Sequence, residues 1–338
     1  MRCISLAAEL QKKNINIYFI CIELKGNFIE LAKSKGIKVL IIKNSSLINF
    51  MDENEKIYDS FEFQTQDAEA TFFLIKDIKT AKDLVIVDHY SLNEIWENLL
   101  YESVSKIMVI DDLGNRSHNC NILLDQNYLL ASKNKYYGLV SNECNLLLGP
   151  KYALLRDEFT SLNVEDFNPP SAVRRILVFF SLGNDHGETL KAMKGIANAE
   201  NNYIVDVIAG AGNVHIKEIE EIAKSNRWNF YNQINYISKL MLKCDLMIGG
   251  GGSTSWEKCF LGVPSINPIL IDNQEEIAKM LHDHGAIINL GWYNKLDFSD
   301  YTYTLNSITD AKLESLSRNA YALVDGKGVQ RVSKILLS

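Results

Sequence analysis

The sequence predicts an α/β protein with two domains, each built around a parallel β-sheet. The chain has 338 residues, about twice the length of an average domain. Short apolar runs rich in β-branched residues alternate with helical patterns in both halves, as is typical of parallel strands buried on both faces. A polar stretch with Pro169 and Pro170 interrupts this alternation. The predicted domains therefore span residues 1–165 and 172–338.

The first domain is predicted to begin directly with a helix over residues 4–13. Ile4, Leu6 and Leu10 fit one helical face, and lysines follow where cations suit a helix end. Strands and helices then alternate, which predicts a Rossmann-like domain. The predicted strands cover 17–22, 39–42, 84–87 and 106–110, and the predicted helices cover 27–35, 68–82 and 92–104.

The second domain repeats the βα pattern and is also predicted to be Rossmann-like. Its predicted strands cover 175–180, 203–208, 229–231 and 245–248, followed by a helix over 253–261 and an extended segment over 264–268. Residues 311–337 predict two helices separated by the turn 325–328. These helices are expected to return and brace the interdomain cleft.

Composition and charge exclude several classes of protein. Hydrophobic residues make up 47% and charged residues 23% of the chain, so wholesale disorder is excluded. The 35 basic and 42 acidic residues give a net charge of −7, which argues against nucleic acid as a partner. No apolar run approaches the roughly 20 residues of a membrane span. We expect a monomer or a weak homo-oligomer.

The six cysteines are scattered and lack the spacing of a metal site. We therefore expect buried free thiols, a reducing cytoplasm, and no metal or other cofactor.

A glycine run in the second domain is the strongest candidate binding site. Residues 249–252 are four consecutive glycines between a predicted strand and a predicted helix. Glycines permit close backbone approach, and the helix start offers unpaired N–H groups to an anion such as a diphosphate. The hydroxyls of Ser253, Thr254 and Ser255 add donors, and Glu257 is placed to accept from ribose hydroxyls. The alternative is a glycine-rich turn with serine caps.

Three further places follow apolar runs, where ligands bind in doubly wound sheets. Gly183, in the turn 181–187, could offer another N–H donor, although an ordinary loop explains that turn equally well. Asp88, His89 and Tyr90 bring a carboxylate, an imidazole and a phenol together, a combination suited to proton transfer or to structural hydrogen bonds. Asn273 and Gln274, at another helix start, could bind sugar hydroxyls or carbonyls.

Adjacent acids at 111–112, and Asp125 further on, lack a metal-ligand pattern. We expect them to fix their loops by hydrogen bonds to the backbone.

Ordered motifs along nearly the whole chain resemble one family, the UDP-2,4-diacetamido-2,4,6-trideoxy-β-L-altropyranose hydrolases of pseudaminic acid biosynthesis. The motifs are Val87-Asp88-His89-Tyr90, Val109-Ile110-Asp111-Asp112, Leu124-Asp125-Gln126-Asn127-Tyr128, the segment 148–156, Gly251-Gly252-Ser253-Thr254-Ser255-Trp256-Glu257, Asp272-Asn273-Gln274 and Asp325-Gly326-Lys327-Gly328. The resemblance implies the two-domain glycosyltransferase B fold and release of UDP by hydrolysis rather than by transfer.

The resemblance also implies roles for particular residues. UDP would lie on the second domain, with Gly251, Gly252 and Ser253 at the phosphates and Glu257 at the ribose. Thr254 and Ser255 belong to the same UDP site, and Gln274 matches the family's phosphate-side amide. Asn273 and Asp88 would contact the sugar, and Tyr90 matches a cleft tyrosine.

The chain departs from the family pattern at two places. The family opens with a strand and a G-x-G-H-x-x-R-C loop whose histidine is its general base, and Met1-Arg2-Cys3 coincides only with the end of that loop. We therefore expect a first sheet without its leading strand, a chain that starts at an internal methionine, and impaired hydrolysis. His89 is the nearest candidate for a replacement base. Leu182-Gly183-Asn184 stands where paired glycines are usual. The alternatives are a UDP-sugar-dependent transferase and a non-catalytic UDP-sugar-binding protein.

Overall fold

The computed structural model describes residues 1–24, 26–43, 59–78, 83–127, 135–162, 164, 167–181, 185–210 and 212–338. It divides into two compact units, of which the first comprises Met1–Leu154 with Gly328–Ser338 and the second comprises Leu155–Lys327.

The described strands of the first unit form two parallel sheets. They are β1 (Tyr18–Ile22), β2 (Lys38–Ile42), β3 (Leu84–Val87), β4 (Lys106–Ile110), β5 (Ile122–Asp125) and β6 (Asn145–Leu148). β1 pairs with β2, and the other four pair in the order β3-β4-β5-β6. No hydrogen-bonded ladder joins β1 to β3 within the described ranges, so both are edge strands there. That an additional strand precedes this chain stays a prediction.

The helices of the first unit cover both of its sheets. They are α1 (Arg2–Lys12), α2 (Ile29–Ser34), α3 (Phe61–Ile75), α4 (Glu94–Tyr101) and, at the end of the chain, α13 (Gly328–Leu336). Leu6 and Leu10 of α1 pack in one apolar cluster with β4 and β5, while Ala7 packs in another beside α2. One amphipathic helix therefore contributes to the core beneath each sheet.

The second unit is a single parallel sheet of six strands. They are β7 (Arg175–Phe179), β8 (Ile204–Ala209), β9 (Asn229–Asn232), β10 (Leu246–Gly249), β11 (Ser265–Ile269) and β12 (Ile288–Trp292). Their order is β12-β11-β10-β7-β8-β9. The chain winds outward from β7 in one direction and returns to wind outward from β10 in the other. The carboxyl ends of β7 and β10 therefore lie side by side at the topological switch point, where ligands bind in such sheets.

The helices of the second unit pack on both faces of the sheet. They are α5 (Asp157–Thr160), α6 (Glu188–Ala197), α7 (Ile216–Ser225), α8 (Ile237–Met241), α9 (Thr254–Leu261), α10 (Glu275–Asp283), α11 (Phe298–Ser307) and α12 (Asp310–Tyr321). In the described part of the chain, no helix has both the length and the apolar character that crossing a bilayer requires.

The boundary between the units differs from the predicted one. The described residues of the segment 155–173 belong to the second unit, where Phe159 is fully buried and Phe167 stacks on Tyr321 with ring centroids 4.0 Å apart. The proline pair therefore marks a polar segment and not the boundary. The two predicted tail helices are present, but α13 belongs to the first unit, because its apolar face packs against α1.

The helix predicted over 68–82 lies at Phe61–Ile75. Its start is set by Ser60, whose side chain accepts from the N–H of Phe63. The prediction was displaced because the apolar residues of α3 lie on both sides of the helix, and Phe61 and Phe73 are exposed. The short strands β5, β6 and β12, together with α11, were not predicted.

Truncation of Leu336 should destabilise the first unit selectively. Leu336 is 6% exposed in the cluster shared with α1. Leu336→Ala should therefore cost about 2–4 kcal/mol by loss of burial and by the cavity left behind. Amide hydrogen exchange should show faster exchange in α1, β4 and β5. Leu337→Ala, at a neighbouring residue that is 48% exposed, is the control. Faster exchange confined to the second unit would contradict the assignment of α13.

Candidate functional site

The four glycines of 249–252 divide into two pairs with different surroundings. A Cβ added to Gly249 would lie 2.0 Å from the carbonyl oxygen of Phe179, and one added to Gly250 would lie 2.8 Å from that of Phe180. These two glycines permit β10 to pack against the end of β7. A Cβ on Gly251 would meet only ordinary contacts at 3.8 Å, and one on Gly252 would meet nothing within 4 Å. Gly251 is buried, whereas Gly252 is exposed, so the bare backbone of Gly252 is accessible to a ligand.

The start of α9 has the properties of an anion site. No side chain of the described residues caps this helix, and Ser253 at its N-cap position is exposed. The Ser255 hydroxyl is buried and has no hydrogen-bond partner in the part of the chain that the structure describes. An uncapped helix start presents N–H groups and the positive end of the helix dipole. The predicted group Gly251, Gly252, Ser253, Thr254 and Ser255 is therefore continuous in space.

Gln274 lies beside the same backbone. Its Oε1 would be 3.8 Å from a Cβ on Gly251, and it accepts from the N–H of Leu270 at 3.2 Å. Asn273 precedes it in the 3₁₀ turn Asp272–Gln274 and is exposed. The structure therefore brings Gln274 to the glycine loop and leaves Asn273 at the surface.

Glu257 is held by an arginine that sequence reasoning did not single out. Its two carboxylate oxygens accept from Arg156 Nε at 2.6 Å and Nη2 at 2.8 Å, and Glu257 is 5% exposed. Burial raises the pKa of Glu257, while the hydrogen bonds and charge of Arg156 oppose that shift. Each oxygen keeps a further lone pair. Arg156 ends the motif segment 148–156, which was the available signal.

The turn after β7 is organised by an acid. Asp185 is buried and accepts from the N–H groups of Gly187 at 3.0 Å and Thr189 at 3.1 Å, so it caps the start of α6. The predicted donor Gly183 lies outside the described residues. His186 stacks on Tyr293 with ring centroids 4.5 Å apart.

In the first unit, Asp88 is already engaged at the end of β3. Its carboxylate accepts from Arg2 Nη2 at 2.7 Å and from the thiol of Cys3 at 3.0 Å. Burial by itself raises the pKa of Asp88, but the hydrogen bond and charge of Arg2 bring it below its ordinary value. Asp88 is therefore an ion-paired carboxylate in this structure, and its predicted sugar contact would compete with Arg2.

The arrangement of His89 argues against the role of a general base. Its Nδ1 accepts from the backbone N–H groups of Ser91 at 3.0 Å and Leu92 at 3.2 Å. A neutral imidazole that accepts at Nδ1 has its proton on Nε2, so the ring donates there. Desolvation, followed by the charge of Arg116, lowers the pKa of His89 and favours this neutral form.

Tyr90, like Asp88 and His89, is exposed. It is 49% exposed. Desolvation and the nearby Asp112 raise the pKa of its phenol, so the hydroxyl stays protonated and can donate.

The neighbouring acids fix loops, as predicted. Asp111 accepts from the N–H of Gly114 at 2.8 Å and pairs with Arg116 at 2.8 Å. Asp125 accepts from the N–H of Asn127 at 2.8 Å. These contacts are the local side-chain to backbone bonds expected at strand ends.

Comparisons with known proteins extend these observations. The chain matches no family model. Over 278 residues it is 25% identical to the UDP-2,4-diacetamido-2,4,6-trideoxy-β-L-altropyranose hydrolase of Campylobacter jejuni, covering 82% of this chain and 89% of that protein. Over 274 residues it is 25% identical to the spore coat polysaccharide biosynthesis protein SpsG of Bacillus subtilis, covering 78% and 79%.

A third relative is longer than this chain. Over 291 residues the chain is 25% identical to the uncharacterized protein MJ1062 of Methanocaldococcus jannaschii, covering 83% of this chain. The match spans about half, 54%, of that protein. The resemblance seen in the motifs is therefore supported for this wider group of proteins, and not for one activity within it.

Solved structures establish the fold. MurG of Acinetobacter baumannii superposes with a TM-score of 0.66 at 13% identity, covering 99% of this chain and 95% of that one. The calicheamicin glycosyltransferase CalG4 superposes with a TM-score of 0.61 at 14% identity, covering 99% and 93%. The predicted glycosyltransferase B fold is confirmed.

The division of the glycine run predicts that the same substitution destabilises the protein at Gly249 and is nearly neutral at Gly252. Gly249→Ala should destabilise the second unit by about 2–3 kcal/mol or more, because the added methyl overlaps a backbone carbonyl that cannot move freely. Gly252→Ala is the matched control and should change stability by less than about 0.5 kcal/mol, since its φ is not positive and the space is open. Urea denaturation followed by tryptophan fluorescence measures both. Equal destabilisation by the two variants would contradict this division.

Proposed function

We propose that this protein is a UDP-sugar hydrolase that holds the diphosphate of its substrate at the start of α9. The observation that supports this most strongly is the uncapped helix start, with exposed backbone at Gly252 and with Gln274 beside Gly251. It lies after β10, at the switch point of the second sheet, where this class of fold binds its ligands. The similarity to a protein named as a UDP-sugar hydrolase supports the same chemistry.

The proposed site stabilises charge that develops on the leaving group. As the bond between the anomeric carbon and the diphosphate breaks, negative charge grows on the diphosphate oxygens. N–H groups at the start of α9, the hydroxyls of Ser253, Thr254 and Ser255, and the Gln274 amide can donate to those oxygens. Donors that are already oriented in the folded protein need no rearrangement when the charge appears.

Glu257 has a proposed role at the ribose that is compatible with its ion pair. Arg156 occupies one lone pair on each carboxylate oxygen and neutralises the buried charge. The remaining lone pairs can accept from the two ribose hydroxyls, as acidic residues do in dinucleotide-binding folds. Arg156 then acts as a positioning residue that keeps Glu257 ionised and oriented.

The proposed sugar site contains a hydrogen-bond donor, Tyr90, but no residue that is clearly arranged as a general base. Tyr90 can donate its hydroxyl to the sugar, and Asn273 and Asp88 remain proposed sugar contacts. Water would attack the anomeric carbon as the diphosphate departs. The hydrogen bonds of His89 place its proton on Nε2, which favours donation over proton abstraction.

This orientation of His89 favours a second candidate, a UDP-sugar-binding protein with weak or no hydrolysis. A transferase of the same fold would use the same diphosphate donors and differ only in its acceptor. The three possibilities therefore share a prediction about binding and differ in turnover.

Filling the space at Gly252 should abolish most of the binding of UDP. Gly252→Leu places a side chain where the structure leaves room for phosphate, and loss of one or two hydrogen bonds to a charged group should weaken binding by about 10- to 100-fold. Isothermal titration calorimetry with UDP measures this, with Gly252→Ala as the smaller variant and a melting curve as the test of folding. Unchanged UDP affinity in a folded Gly252→Leu protein would place the diphosphate elsewhere.

The fate of the sugar separates hydrolysis from transfer and from binding alone. The protein should release UDP from a UDP-linked 2,4-diacetamido-trideoxy-hexose without any acceptor. In ¹⁸O-labelled water the released UDP should contain no labelled oxygen, detected by mass spectrometry, because water attacks the anomeric carbon and the bond between that carbon and the diphosphate oxygen breaks. Release of UDP only after an acceptor is added would favour the transferase. Binding measured by calorimetry without release would favour the binding protein.

A further inference from the structure

A buried lysine lies directly beneath the glycine loop. Lys258, in α9, is 1% exposed, and its Nζ donates to the carbonyl oxygen of Gly250 at 3.2 Å and to Oδ1 of Asn267 at 3.1 Å. Asn267, in β11, is fully buried and donates its Nδ2 to the same carbonyl at 3.3 Å. One side chain from a helix and one from a neighbouring strand therefore both donate hydrogen bonds to the carbonyl of Gly250.

These hydrogen bonds fix the direction of the N–H group of Gly251. A trans peptide is planar, so the N–H of Gly251 points opposite to the carbonyl of Gly250. Because that carbonyl is turned toward Lys258 and Asn267, the N–H of Gly251 points to the other side of the loop. The hydrogen bonds of Lys258 therefore orient a donor of the proposed phosphate site.

When protonated, Lys258 places a positive charge beside the loop, and neither of its hydrogen-bond acceptors is an anion. Both of its acceptors, the Gly250 carbonyl and the Asn267 amide, are neutral. The titratable groups around it are Glu257, whose oxygens bind Arg156, and the thiols of Cys244 and Cys259. Burial raises the pKa of Cys259 to about 12 and that of Cys244 further, so both thiols are neutral near pH 7.

We propose that Lys258 is the positioning residue of the phosphate-binding loop and that its buried ammonium supplies a counter-charge to the diphosphate. This inference rests on the proposed function. An ammonium with neutral partners in a buried site is costly, and an anion across the Gly250–Gly251 peptide group stabilises it. Diphosphate binding and protonation of Lys258 are then coupled, each favouring the other.

The coupling has a definite sign. Burial lowers the pKa of Lys258 to about 8 in the free protein. A bound anion raises that pKa, so binding takes up a proton wherever the free lysine is neutral. Below pH 8 this contribution to affinity is fully present, and above pH 8 it is lost progressively. Between pH 7 and pH 9 the affinity for UDP should fall by about tenfold.

Calorimetry of the full chain with UDP at pH 7, 8 and 9 tests the inference. Wild-type protein should lose affinity over this range and take up a proton at pH 8 to 9, as measured in buffers of different ionisation enthalpy. Lys258→Gln keeps a donor near Gly250 without the charge. It should bind about tenfold more weakly at pH 7 and show no proton uptake, as expected for loss of the charge alone. Ionisation of the uracil ring is common to both proteins and cancels in their difference.

Two further variants complete the test: one removes a lysine charge at the surface, and the other changes the charge beside Lys258 without replacing the lysine. Lys224→Gln, at an exposed position of α7, should behave as wild type. Asn267→Asp preserves the shape of the side chain and places a carboxylate beside Lys258. The lysine should then stay charged to pH 9, so that UDP binding loses its pH dependence even if Lys258→Gln does not fold.

The outcomes separate this inference from the proposed function. Absence of UDP binding by the wild-type protein would overturn the proposed function and the inference with it. Wild-type UDP binding with an affinity and proton uptake that Lys258→Gln and Asn267→Asp leave unchanged would overturn the inference alone.

Discussion

The close approach of two backbones at the centre of the second sheet constrains everything around the candidate site. Gly249 and Gly250 lie against the carbonyls of Phe179 and Phe180, so neither position has room for a side chain. The segment that follows β10 therefore has no side chains, and no side chain of the described residues caps the start of α9. Lys258 and Asn267 donate hydrogen bonds to the carbonyl oxygen of Gly250. The donors of the proposed phosphate site are thus a consequence of how two neighbouring parallel strands pack.

The carboxyl edge of the first unit is organised by a different interaction. There, cations neutralise the acids that follow the strands, as in the pairs Arg2–Asp88, Arg116–Asp111 and Lys135–Asp125. Carboxylates held in this way shape loops more readily than they bind a ligand. Tyr90 is half-exposed, and the raised pKa of its phenol keeps the hydroxyl protonated, so it can donate to a ligand. The second unit therefore offers backbone donors, and the first offers a few polar side chains on a rigid edge.

The comparisons and the geometry agree on the fold, but neither distinguishes hydrolysis from transfer. The fold is the glycosyltransferase B fold, and relatives at 25% identity include a UDP-sugar hydrolase and a polysaccharide biosynthesis protein. The proposed phosphate site would serve hydrolysis and transfer equally, since both reactions expel the same leaving group. The difference between them lies in how the attacking group is activated, and the hydrogen bonds at Nδ1 of His89 argue against this residue as the general base.

The sequence by itself determined the α/β class, most strands of both units, and the glycine loop with its hydroxyl residues. These features are local, since alternating patterns and a glycine run before a helix are readable from neighbouring residues. Only the tertiary structure decided that α13 joins the first unit, that Arg156 holds Glu257, and that Lys258 lies under the loop. Each of these is a contact between residues far apart in the chain or on a buried helix face. The acceptors of Lys258, on the loop and on β11, come together only once the sheet has formed.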